Sequence, residues 1–173
     1  SPERIASLVE EANALQPDMI VLLGDYVDGM RLVTADVSAS EWASALSGLK
    51  APLGVLSILG NHDWWHDPAA QQAGSGPTVA RRALEGVGIP VLENDVVRLE
   101  KDGQGFWIVG LADQLALRPS KALRRSGFKG LDDLDGTLTK VSDGAPVILL
   151  AHEPDIFPKV PWRVSLTLSG HTH

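Results

Sequence analysis

Gly54-Val55-Leu56-Ser57-Ile58-Leu59-Gly60-Asn61-His62-Asp63 is an apolar run that ends abruptly in an amide, an imidazole and a carboxylate. The run reads as a buried strand of an α/β sheet, and the carboxyl ends of such strands are where ligands bind. Alone, Asn-His-Asp is also an ordinary polar turn. Its weight comes from three further apolar runs that end in the same way. Met19-Ile20-Val21-Leu22-Leu23 leads into Gly24-Asp25-Tyr26-Val27-Asp28, and Val147-Ile148-Leu149-Leu150-Ala151 leads into His152-Glu153-Pro154-Asp155. Val164 to Leu168, alternating apolar and polar, leads through Ser169 into Gly170-His171-Thr172-His173.

The 173 residues suit one domain with a sizeable core. No run approaches the roughly 18 apolar residues that a membrane span needs, and no leader of the secretory type is visible. Cysteine is absent, which excludes disulfides, thiolate ligands and a cysteine nucleophile. A formal charge of -7 argues against broad binding to nucleic acid, which needs a basic surface.

Around these four runs the pattern alternates between helix and strand. Ser1 to Gln16 predicts an amphipathic helix with Ile5, Leu8, Val9, Ala12 and Leu15 on one face. Ser38-Ala39-Ser40-Glu41 has capping-box spacing, which predicts a helix from about Ser40 to Leu49. Gln71 to Pro77 reads as a loop and Thr78 to Gly86 as a helix. Val91-Leu92, Val96 to Glu100 and Phe106 to Leu111 read as short strands, the last two joined in a hairpin. Leu131, Leu134, Leu138 and Val141 recur at helical spacing across Gly136.

Four of the five histidines, His62, His152, His171 and His173, fall at or just after strand ends, and Asp25 and Asn61 hold equivalent places. Oxygen and imidazole donors of this kind suit Mn, Fe or Zn as divalent ions. Each member also has an ordinary reading: Asp25 as a turn residue, His152 as a satisfied histidine at a strand end, the terminal His-x-His as a tag-like tail. Their joint order favours a shared metal centre.

That order, Gly24-Asp25-x-x-Asp28, Gly60-Asn61-His62-Asp63, His152 and Gly170-His171-x-His173, resembles the calcineurin-like metallophosphoesterase superfamily. Within it, the Asn-His-Asp-Trp-Trp turn and Ala151-His152-Glu153-Pro154-Asp155 are similar to a bacterial envelope-associated phosphodiesterase branch. The resemblance implies the αββα sandwich of that family, here truncated at both ends, with residues 1–173 as a partial phosphoesterase domain. It implies a dinuclear centre in which Asp25 bridges two divalent metals. Asn61, His152 and His171 complete one shell, and His173 binds the other ion. A hydroxide activated by the cations would attack phosphorus, with His62 as general acid and Asp28 orienting it. The family's opening Asp-x-His motif has no counterpart, which suggests an internal fragment of a longer protein.

The implied substrate is a phosphate-ester small molecule or a lipid-linked ester. Nucleic acid is not expected, and peripheral association with a membrane is compatible with the chain. Location is then cytoplasmic or peripheral at the cell envelope. The rival reading is a non-catalytic scaffold of the same fold that binds a partner protein. Outside the motifs, Trp64 and Trp65 read as cleft wall, interface or core, Trp107 and Trp162 as core, and His66 with Asp67 as solvated loop. Asp113 is one more strand-end carboxylate. Arg118, Lys121, Arg124, Arg125 and Lys129 form a basic run, read as a solvated face with phosphate or an anionic membrane as alternatives.

Overall fold

The computed structural model describes residues 2–27 and 38–172, so Asp28 and His173 lie outside the described residues. The apolar runs become strands whose alternate side chains enter different layers, as the two-residue period of a strand dictates. β1 (Ile20–Leu22) and β2 (Val55–Ser57) pair in parallel, with Ile20 opposite Val55 and Leu22 opposite Ser57. A second sheet runs in the order β3 (Asp95–Lys101), β4 (Gln104–Gly110), β5 (Val147–Ala151), β6 (Leu166–Ser169). β3 and β4 form the expected antiparallel hairpin, while β4, β5 and β6 are parallel.

The two sheets lie face to face. Val21, Leu23, Leu56 and Ile58 from the first meet Phe106, Ile108, Ile148, Leu150 and Leu168 from the second in one apolar layer. The intervening residues point the other way. Leu22 and Val55 join Trp42, Ala80 and Leu84 beneath helices α1 (Pro2–Ala14), α2 (Ala39–Leu46) and α5 (Val79–Gly86). Trp107, Val109, Val147 and Leu149 meet Leu134 of α6 (Leu134–Leu138) and Ile156 of a 3-10 turn, Pro154–Lys159. The layers therefore run helix, sheet, sheet, helix, as the resemblance implied.

Local signals explain most element ends. Ser38 caps α2 and Glu41 closes the box on the Ser38 backbone, so the helix begins where that spacing placed it. Two short helices fill the stretch after β2: α3 (Asn61–Trp65) and α4 (Pro68–Ala73). The polar turn of the opening stretch is thus a helical turn, with Asp67 capping the next. Asp67 is 3% exposed and accepts from Ala70 N and Val79 N, which corrects its reading as a solvated loop residue. The helix anticipated around Gly136 shrinks to five residues, consistent with the cost of an internal glycine. Val91 makes a single bridge to Ser57 rather than a strand.

Two apolar readings change. Trp107 is buried, but Trp162 is 93% exposed and so is not core. In α1 Val9 is buried while Leu8, like Leu15 just past the helix end, stands in solvent, so the inward stripe is narrower than the periodicity suggested.

Candidate active site

The turns after β1, β2, β5 and β6 converge at one edge of the sandwich, and the close approach is built on glycine. Gly24 has φ +96°, and a β-carbon there would stand 2.4 Å from the Gly60 nitrogen. A β-carbon on Gly60 would stand 2.4 Å from Asp25 Oδ1 and 2.5 Å from His152 Cε1. Only residues without a side chain let the β1 and β2 turns and the His152 ring occupy this space.

Four donor groups meet there. Asp25 Oδ2 lies 3.1 Å from His152 Nε2. His171 Nδ1 lies 3.3 Å from His152 Nε2 and 3.0 Å from Asn61 Oδ1. Asp25, His152 and His171 present ligand atoms that all lie within 4.8 Å of one another. The spacing suits a divalent ion: with metal–ligand bonds near 2.1 Å, adjacent ligands stand about 3.0–3.4 Å apart in octahedral or tetrahedral shells. The donor set, one carboxylate, one amide oxygen and two imidazoles, is the borderline kind.

The backbone is bent to make this possible. Asp25 and His171 both sit in the left-handed region, at φ 61° and 66°. Each such residue costs roughly 1–2 kcal/mol, and such strain concentrates at functional sites. The His152 ring is aimed from behind, because Nδ1 lies 2.6 Å from the Leu23 carbonyl and so carries the proton, leaving Nε2 toward Asp25.

Electrostatics agree with that pairing. Burial works against ionisation of Asp25, but the His152 ring and the His62 N–H outweigh it and hold the carboxyl below its ordinary range. His152 is pushed up: burial opposes its charge, and the bond to Asp25 prevails. In the absence of a cation, a proton on His152 satisfies the pair. A metal ion requires the ring to release it.

Asp63, quoted in the opening stretch without a role, proves to be the keystone. It is 1% exposed and accepts four backbone N–H groups, from Asp25 and Gly60 at 2.9 Å, Tyr26 at 2.8 Å and Val27 at 3.1 Å. Burial raises its pKa to about 6, with the N–H donors opposing. A short polar residue three places into a helix is a familiar capping signal, but its reach to the β1 turn is not legible without the fold. Asp113 is also found here, fully buried beside Glu153 and His152. Burial and then the Glu153 carboxyl push its pKa well above the ordinary carboxylate range.

His62 stands beside this donor cluster, its backbone N–H donating to Asp25 Oδ1 at 3.0 Å. Its ring lies against Trp65 at 5.4 Å and against His66 at 5.6 Å. Trp64 instead is 2% exposed and belongs to the core. Asp25, Asn61, His62, His152 and His171 are therefore brought together, while Asp28 and His173 lie outside the described residues.

A family model described as calcineurin-like phosphoesterase matches residues 1–173. A Caenorhabditis elegans protein named as a metallophosphoesterase, F40B5.2, is 35% identical over 98% of this chain and 33% of its own length. The Bacillus subtilis metallophosphoesterase YkuE is 33% identical over 99% of this chain and 52% of its own length. The chain thus spans about a third to a half of these relatives. Among solved structures, Haemophilus influenzae NAD nucleotidase shares the fold with a TM-score of 0.60 at 17% identity, covering 98% of this chain and 35% of that one.

Proposed function

Because the chain belongs to the calcineurin-like phosphoesterase family, we propose that it carries most of the catalytic domain of a dinuclear phosphodiesterase. The observation that supports this most is the meeting of Asp25, Asn61, His152 and His171 at ion-shell spacing. These four would hold one divalent ion, and in the family pattern Asp25 and His173 would contribute to a second. Mn, Fe and Zn all suit the donors.

When bound, such ions supply Lewis acidity to the phosphoryl oxygens and lower the pKa of a water. The rest belongs to the chain. Asp25 takes the His62 N–H and so fixes the turn that presents the imidazole. The His62 ring, partly open to solvent, donates a proton to the departing oxygen as the ester P–O bond breaks and water takes its place. In the family pattern a carboxylate at the position of Asp28 would orient that ring. Asp63 keeps the two turns in register, so that proton donor and ligands stay within one geometry.

The substrate is a phosphate ester, soluble or lipid-linked, and peripheral association with the cell envelope fits this reading. No helix among the described residues is long and apolar enough to cross a membrane. The test is hydrolysis of bis(p-nitrophenyl) phosphate by the full-length protein with Mn²⁺. Turnover that needs the metal and falls with Asn61→Ala supports the proposal. Metal-loaded protein without turnover on any phosphate ester favours the scaffold.

A further inference from the structure

Beside His62 the chain builds a wall that the catalytic roles above do not use. Trp65 lies against the His62 ring, and its indole N–H is fixed by the Leu115 carbonyl at 2.8 Å. The Arg118 guanidinium carbon sits 4.8 Å from the centre of the Trp65 ring, and Phe128 stacks on the same indole at 5.2 Å. Arg118 and Phe128 reach Trp65 from the base of a hairpin closed by two backbone bonds between Leu117 and Lys129. Leu117 is buried, and Gln71 accepts the Arg118 N–H, so the base is held rigidly to the body.

The charge of this hairpin is unusual for the chain. From residue 114 to residue 131 it carries Arg118, Lys121, Arg124, Arg125 and Lys129 and no acid, in a protein of net charge -7. Elsewhere Arg81, Arg98, Lys101 and Lys140 pair with carboxylates, while Arg82 and Arg163 donate to backbone carbonyls. Among the described residues no carboxylate pairs with Arg118, which is exposed and keeps its planar fork of donors available. A guanidinium spread on an indole is pre-organised, so little freedom is lost when it binds an anion.

We propose that Arg118 is a specificity-determining residue that binds an anionic group carried on the leaving-group side of the ester. The inference rests on the phosphoesterase reading and deepens it. If His62 protonates the departing oxygen, the rings touching His62 flank the leaving group, and Arg118 is one indole further out. The favoured substrates are then phosphate esters whose leaving group bears a second phosphate or comparable anion. That anion belongs either to a soluble molecule or to a lipid headgroup.

The full-length protein tests this in three arms. In metal-free protein, calorimetric titration with inorganic pyrophosphate should show affinity falling at least tenfold on Arg118→Ala and partly restored in Arg118→Lys. In Mn²⁺-loaded protein, the preference in kcat/KM for a thymidine dinucleotide with a terminal phosphate over one without should fall at least tenfold in Arg118→Ala, mainly through KM. In co-sedimentation, vesicles of phosphatidylglycerol are compared with vesicles of phosphatidylcholine. Loss in the first two arms supports a soluble anion, and loss confined to phosphatidylglycerol vesicles supports a headgroup. Unchanged behaviour of Arg118→Ala in all three overturns the proposal. Absence of any turnover would sink the phosphoesterase reading, while the pyrophosphate titration would still decide Arg118.

Discussion

Asp63 accepts the backbone N–H of Asp25 at 2.9 Å, so the turn bearing the candidate proton donor and the turn bearing a candidate metal ligand form one mechanical unit. The same carboxylate takes three further N–H groups, which no neutral side chain of that size could match.

Replacing Asp63 by Asn tests that unit. One amide end can only donate, so it would face N–H groups instead of accepting from them. Lost charge-assisted bonds and the repulsion left behind should destabilise the fold by about 2–4 kcal/mol. Thermal or urea unfolding of the variant measures this, and an unchanged midpoint would show that the network carries no weight.

A methyl group at Gly60 tests the close approach. Gly60→Ala places a carbon 2.4 Å from Asp25 Oδ1 and 2.5 Å and 2.6 Å from His152 Cε1 and Nε2, so both side chains must shift. Metal content by elemental analysis should fall sharply, while the far hairpin of β3 and β4 stays folded by hydrogen exchange. Full metal retention would mean that the two turns do not meet as described.

The proton donor and the ligands should separate by mutation. His62→Ala should lower kcat by about 100- to 10,000-fold, the range of general acid catalysis, with metal content nearly intact. His152→Ala should cost the metal itself, by about 100-fold in affinity or more, since even outer-shell partners are worth about 10- to 100-fold. Equal metal loss in both variants would remove the distinction.

Far from the site, Asp143 gives a control on the acid side. It accepts from Trp107 Nε1 at 2.8 Å, the Ala145 N–H at 2.9 Å and Arg98 Nε at 3.0 Å. These partners, Trp107 first, hold it at about 2. An unfolded aspartate titrates near about 3.9, so its contribution is complete above that pH and is lost as pH falls toward about 2. The difference in unfolding midpoint between the natural protein and Asp143→Asn should therefore shrink over that window. A difference that grew on acidification would contradict the bonding.

The strands were legible because their signal is strong: uninterrupted apolar runs such as residues 147–151, covered on both faces, stop where polar groups begin. The donors that gather at the candidate site, Asp25, Asn61, His152 and His171, were legible for the same reason, since each marks a strand end. What a linear reading missed depends on distance through space. Asp63 reaches a turn 38 residues away. Arg118 meets Trp65 only because a hairpin folds back, and a basic run by itself resembles any solvated face. Trp162 failed as a core residue because size and apolarity do not say which side of the chain is covered.

Whether Asp25, Asn61, His152 and His171 share one cation is decided by anomalous diffraction from crystals of the Mn²⁺-loaded full-length protein. A manganese peak is expected bonded to Asp25 Oδ2, Asn61 Oδ1, His152 Nε2 and His171 Nδ1. A manganese peak elsewhere, with His152 still bonded to Asp25 and no ion between the two imidazoles, would contradict it.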